Sequence, residues 1–213
     1  CGFVPSLIGA IYPDCDLTVQ EAFWISPADG SYNNAIHWST NTFVPINGNG
    51  APPRNFSVNI LPGPDPTPIV NLNALAAIAR LNLGVQSTLE VANATPVGIT
   101  LQFFPPATPN GPDNAVSNGS LRIVSNGSPG SIFQITDMNL FQGTAGLVEA
   151  RGTAPSTLRL VHCRIRGGTV TAQGAARLEL LESRIEGGSL TGTGTLSIRE
   201  AGGDVNQHVG VIL

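Results

Sequence analysis

Near the C-terminal end, one pattern of apolar and polar positions occurs three times. Residues 133–144, 158–169 and 178–189 superimpose at offsets of 25 and 20 residues, and a degenerate copy starts at Leu196, 18 residues on. Within each copy apolar and polar residues alternate, which predicts a strand with one buried face. Laid column on column, Phe133, Leu158, Leu178 and Leu196 form one apolar file, and Ile135, Leu160, Leu180 and Ile198 form the next. Leu140, Ile165 and Ile185 make a third file, and Val148, Val170 and Leu190 serve a following strand. Self-similarity at this period predicts a solenoid, because one turn cannot bury its own apolar side and must stack on its neighbours.

Between these files, Met138, Cys163, Ser183 and Ala201 predict a tight inward corner. Gly143, Gly168 and Gly188 predict a second corner, where positive φ favours glycine. The variable stretches 145–156, 171–176 and 191–195 are rich in Gly, Ala, Thr and Ser and read as loops on one side of the coil.

Upstream the pattern is irregular. Residues 85–104 alternate as strands, 104–119 reads as a long Pro/Asn/Gly loop, and 121–124 resumes the strands. Residues 73–82 form the one helical pattern: Asn73 is an N-cap, and Leu75, Ile78 and Leu81 share a face. We expect this short helix to cap the coil. Residues 45–68 are Pro- and Gly-rich and read as a connector with no interior strand. Residues 1–54 hold Trp24, Trp38, Tyr12, Tyr32, Phe3, Phe23 and Phe43 and lack the repeat. They are expected to be an irregular aromatic section or docking arm, with the solenoid spanning 55–213 and its clear repeats at 132–200.

Composition narrows the function classes. Charged residues are 11% of the 213, Lys is absent and net charge is −4, which leaves no basic patch for nucleic acid. No apolar run spans a bilayer. Cys1 and Cys15 are close enough in sequence for a short-loop disulfide outside the cell, Cys15–Cys163 being the other pairing. Cys163 otherwise reads as a small buried core residue. Sequons at Asn55, Asn93, Asn118 and Asn126 permit N-glycosylation. His37, His162 and His208 have no metal-ligand spacing, so neither a metal nor another cofactor is expected.

The rung pattern over roughly 70–213 resembles the right-handed parallel β-helix, the architecture of the pectin-lyase-like superfamily. The resemblance implies an all-β coil, in a fold that hosts lyases, hydrolases, adhesins and fibres. The family's enzymes carry acids, bases and Arg on an outer face. Here an outer file runs Asp137, His162, Glu182 and Glu200, beside Asn139, Arg164 and Arg184. An enzyme reading would therefore use Asp137, His162, Glu182 and Arg164 on a polysaccharide. The paired-Asp and His-Gly motifs of polygalacturonases are missing, as are the clustered Asp and basic patch of pectate lyases.

We therefore expect no catalytic residues and a structural role: an extracellular or cell-surface subunit that assembles with copies of itself into a filament, fibre or sheath. A glycan-binding adhesin or tailspike-like domain is the other alternative. The chain stops at Val211, Ile212 and Leu213 with no polar cap, so these residues, with Trp24, Trp38 and Phe23, are the expected assembly contacts.

Overall fold

The computed structural model describes residues 3–5, 11–13, 19–50, 54–92, 98–106, 111–125 and 130–199. Within them the chain is all-β, with one short 3-10 turn at Ala35–His37. β1 (Phe3–Pro5) and β2 (Ile11–Pro13) pair antiparallel. β3 (Val19–Phe23) and β4 (Gly30–Ser31) lead into β5 (Asn55–Ile60) and β6 (Ile69–Asn71). Full turns follow: β7 (Ala76–Ile78), β8 (Arg80–Leu83) and β9 (Thr88–Ala92), then β10 (Ile99–Phe103), β11 (Ala115–Ser117) and β12 (Ser120–Ser125). The repeats supply β13 (Ser131–Thr136), β14 (Asn139–Gln142) and β15 (Leu147–Gly152), then β16 (Ser156–Val161), β17 (Arg164–Arg166) and β18 (Thr169–Gly174). β19 (Arg177–Leu181), β20 (Arg184–Glu186), β21 (Ser189–Gly192) and β22 (Thr195–Arg199) end the series.

Each turn places one strand in each of three sheets. The first, six-stranded, runs β7-β10-β13-β16-β19-β22. The second runs β3-β5-β8-β11-β14-β17-β20, and the third β4-β6-β9-β12-β15-β18-β21. Every pairing within them is parallel, an order consistent with a parallel β-helix. The sequence-aligned files are also the registered ones: Phe133 opposes Leu158, Leu158 opposes Leu178, and Leu178 opposes Leu196. Leu140, Ile165 and Ile185 pair likewise, as do Val148, Val170 and Leu190. These side chains fill one continuous core.

Several expectations need correction. Residues 73–82 form no helix: Ala76–Ile78 and Arg80–Leu83 are β7 and β8, with Ala76, Ile78, Leu81 and Leu83 buried. A period-three run of Leu and Ala fits a helix face, but β8 is paired in parallel on both sides, by β5 and β11, and β7 on one side, by β10, which satisfies the backbone and overrides that propensity. Composition predicts a connector at 45–68, yet β5 lies within it with five of its six residues buried. The loop at 104–119 holds β11, and the variable stretches hold all of β15 and parts of β18 and β21. At the glycine corner, Gly168 has φ +61, while Gly143 and Gly188 have no positive φ and are required instead for close stacking. A Cβ on Gly188 would sit 2.6 Å from the Gly167 carbonyl oxygen.

The missing helical cap has a substitute. β3 and β4 are the outermost strands of their sheets and pair with β5 and β6 across the boundary at 54. Trp38 and Tyr32 are fully buried, packed edge-on with ring centroids 4.9 Å apart, and Trp24 meets Trp38 at 5.1 Å. Trp38 Nε1 donates to the Tyr32 carbonyl and the Tyr32 hydroxyl to the Pro45 carbonyl, both at 2.7 Å. Asn47 closes the outer edge of the first sheet. Its N–H donates to Ala77 O, its Oδ1 accepts from Phe56 N–H at 2.8 Å, and its Nδ2 donates to Phe104 O at 3.1 Å.

Candidate functional site

The outer face of the second sheet, with the corner that leads into it, carries the chemistry singled out in the sequence. Asp137, His162 and Glu182 are the first residues of equivalent two-residue corners between β13 and β14, β16 and β17, and β19 and β20. All three are left-handed, with φ of 61°, 52° and 49°. Non-glycine residues in this region cost about 1 kcal/mol or more each, Asp and His being better tolerated there than Glu. The tight corner thus lies one residue before Met138, Cys163 and Ser183, which turn inward. Met138 and Cys163 are buried. Ser183 Oγ accepts from Cys163 N–H at 2.9 Å and reaches the Leu160 and Leu181 carbonyls.

Because the corners repeat, their side chains stack along the coil. His162 Nδ1 lies 3.3 Å from Asp137 Oδ1, and its Nε2 lies 3.2 Å from Glu182 Oε2. The ring is half-exposed, bridging carboxylates one turn below and one turn above. Their backbones are tied in the same direction, with Asp137 N–H donating to Val161 O, His162 N–H to Leu181 O and Glu182 N–H to Arg199 O, each at 3.0 Å. Burial holds the Asp137 carboxyl above its usual range, partly offset by the hydrogen bond and charge of His162.

Beside the corner lies a cleft of about 330 Å³ lined by Asp137, Asn139, His162, Arg164, Glu182 and Arg184. Arg164, which the enzyme reading pairs with Asp137 and His162, is turned elsewhere: its Nε and Nη2 both donate to Glu186 Oε2, at 2.9 and 2.7 Å. Arg184 Nε reaches Glu186 Oε1 at 2.8 Å. These arginines hold the Glu186 carboxyl below its ordinary range, Arg164 contributing most. Arg166 pairs with Asp113 and sits over the exposed Phe141 ring, 5.7 Å from its centroid. Asn114, which the sequence reading did not use, closes one side: its Oδ1 accepts from Asn139 N–H at 2.8 Å and its Nδ2 donates to Asp137 O at 3.0 Å. Among the described residues no three His, Cys, Asp or Glu groups converge to hold a metal ion.

The other sequence candidates fall in several places. Trp24 and Trp38, expected as assembly contacts, are buried inside the cap, because their side of the strand and turn faces the core. Phe23, on the opposite side of β3, is 42% exposed. Cys163 is a free thiol buried in the corner, so the Cys15–Cys163 pairing is not formed. Burial pushes that thiol up to about 12. Asn55 and Asn118 are half-buried. Cys1, Cys15, Asn93, Asn126, Glu200, His208, Val211, Ile212 and Leu213 lie outside the described residues. No described helix is long and apolar enough to cross a membrane. Comparison with protein-family models, curated proteins and solved structures finds no match.

Proposed function

We propose that this chain is a structural subunit: a right-handed parallel β-helix of the non-catalytic surface or fibre type, related in architecture to the pectin-lyase-like superfamily. In this proposal it works outside the cell or at its surface and assembles with copies of itself into a filament, fibre or sheath. One observation carries the reading. The charged groups of the outer faces are spent on neighbours one turn away in the same stack. Arg122 binds Glu90 at 2.6 Å, Arg159 binds Glu179 at 2.7 Å, Arg164 binds Glu186 at 2.7 Å, and His162 bridges Asp137 and Glu182. Such links reinforce a stiff rod and leave few groups free to act on a substrate. The exposed pair of His162 with Glu182 contributes at most about 1 kcal/mol, and in this proposal the rod's stability rests chiefly on the core and the backbone ladders.

The capped end carries exposed apolar side chains suited to a contact between copies. Phe23, Ile25 and Ile36 are 42%, 44% and 64% exposed, and Ile25 N–H bonds the His37 carbonyl, which brings Ile25 beside Ile36. The test is negative-stain electron microscopy of the purified full chain, with light scattering over a concentration series. Ordered filaments that are lost in Phe23→Asp or Ile36→Asp support the proposal. A monomer at every concentration overturns it.

A second reading, a carbohydrate-active enzyme, draws on one observation: the raised Asp137 carboxyl beside His162 in an open cleft. Turnover of an acidic polysaccharide that His162→Ala abolishes would establish it in place of the structural role.

A further inference from the structure

We infer that Asp137, His162 and Glu182 form a proton-dependent clasp across three consecutive turns of the coil, fastened at acidic pH and released on the alkaline side. This inference rests on the corner geometry and is independent of whether the chain assembles. The three residues sit at equivalent left-handed corners, so the backbone fixes their spacing along the stack. Both ring nitrogens of His162 face carboxylate oxygens, at 3.3 and 3.2 Å. A carboxylate can only accept. An imidazolium carries two N–H groups and donates to both neighbours, whereas a neutral ring carries one and sets a lone pair against the other carboxylate. Protonation therefore adds a bond and removes a repulsion together. Imidazole is the side chain whose charge changes between about pH 5 and pH 8.

The surroundings leave this role to the ring. Arg164 and Arg184, on β17 and β20, hydrogen-bond Glu186. Arg166 is held by Asp113, and Asn139 on β14 is uncharged. The Cys163 thiol, next in the chain, is buried and hydrogen-bonded to backbone carbonyls. His162 is 53% exposed at its side chain, so protons exchange freely with solvent. A clasp of this kind would make the C-terminal turns tighter in acidic surroundings than in alkaline ones.

The experiment measures thermal unfolding of the full chain and of His162→Gln at about pH 5.5 and about pH 8, either side of the imidazole range. The quantity read is wild-type midpoint minus variant midpoint, which cancels the other titrating groups. It is expected to be larger at the acidic pH by about 2–4 °C. A difference that is equal at both pH values, or larger at the alkaline one, overturns the clasp. Glu182→Ala provides the second arm should His162→Gln fail to fold: Glu182 is half-exposed, and its loss removes one of the two acceptors. Its wild-type-minus-variant difference should show the same sign at roughly half the size, and a flat difference overturns the clasp equally.

Discussion

Asn47→Ala tests whether the aromatic section closes the coil in place of a helix. Asn47 is 2% exposed and joins three separate segments. Its backbone N–H bond to Ala77 survives the substitution, but both side-chain bonds are lost. Phe56 N–H loses its 2.8 Å acceptor and Phe104 O loses its 3.1 Å donor. The Phe56 N–H is buried, and losing its acceptor costs about 1–3 kcal/mol, whereas the Phe104 carbonyl is part-buried and costs at the low end of that range. Taking the lower half of that range for each bond gives about 3 kcal/mol in all. For a chain of this size that is a drop of roughly 6–12 °C in unfolding midpoint.

Thermal unfolding followed by circular dichroism measures the drop. Asn49→Ala is the matched control, since its Nδ2 makes one part-buried bond, to Val44 O at 2.9 Å. It should lose about 1 kcal/mol, or roughly 2–4 °C. If Asn47→Ala melts within about 2 °C of wild type, less than a single lost bond should cost, the end of the first sheet is closed by something else and the capping argument fails.

Cys163 should resist alkylation at about pH 8 in the native protein, because its thiol is buried and pushed up to about 12. Mass mapping of the labelled peptide checks this, and labelling as fast as in denaturant would contradict the buried corner. Leu160→Ala removes the centre of a fully buried file between Ile135 and Leu180 and should cost about 2–5 kcal/mol in a urea titration. A cost under about 1 kcal/mol would mean the file is not packed. Asp137 binds its proton more tightly folded than unfolded, so its contribution is present at low pH and is lost as pH rises through its raised range. Wild type should therefore gain stability relative to Asp137→Asn as pH falls from about 6 to about 3, the carboxylate range. A gain in the opposite direction would refute the burial of that carboxyl.

What was legible in the sequence follows from how a stack is built. Leu158, Leu160 and Ile165 stand opposite their own repeats, so column alignment of the sequence is the same operation as strand pairing, and the register could be read without coordinates. The earlier turns escaped because they keep the pairing without the repeat. β5, β8 and β11 pair in series, although their sequences, Asn-Phe-Ser-Val-Asn-Ile, Arg-Leu-Asn-Leu and Ala-Val-Ser, share no more than alternation. The corner was displaced by one residue for a different reason. Glycine announces a left-handed position, but Asp137, His162 and Glu182 carry no such mark, and the small residues Cys163 and Ser183 point to the next position instead. The pairing of His162 with both neighbours was implicit in the file, whereas the turning of Arg164 and Arg184 onto Glu186 depends on rotamers that no column reveals.

The left-handed corners also weigh on function. Glycine would occupy three successive positive-φ positions without strain, and the chain uses it at Gly167, Gly168 and Gly187 on the next corner of the same turns. At the Asp137 corner it instead keeps three ionisable side chains, at a conformational cost of about 1 kcal/mol or more each. Exposed ion pairs do not repay that cost on their own. What the inferred clasp adds is a link that responds to protons, alongside the other cross-links between turns, such as Arg159–Glu179 and Arg122–Glu90. The clasp inferred above would account for both the strain and the composition of this corner. The enzyme reading of the sequence also uses Arg164, and that side chain would have to leave Glu186 to reach a substrate beside Asp137 and His162.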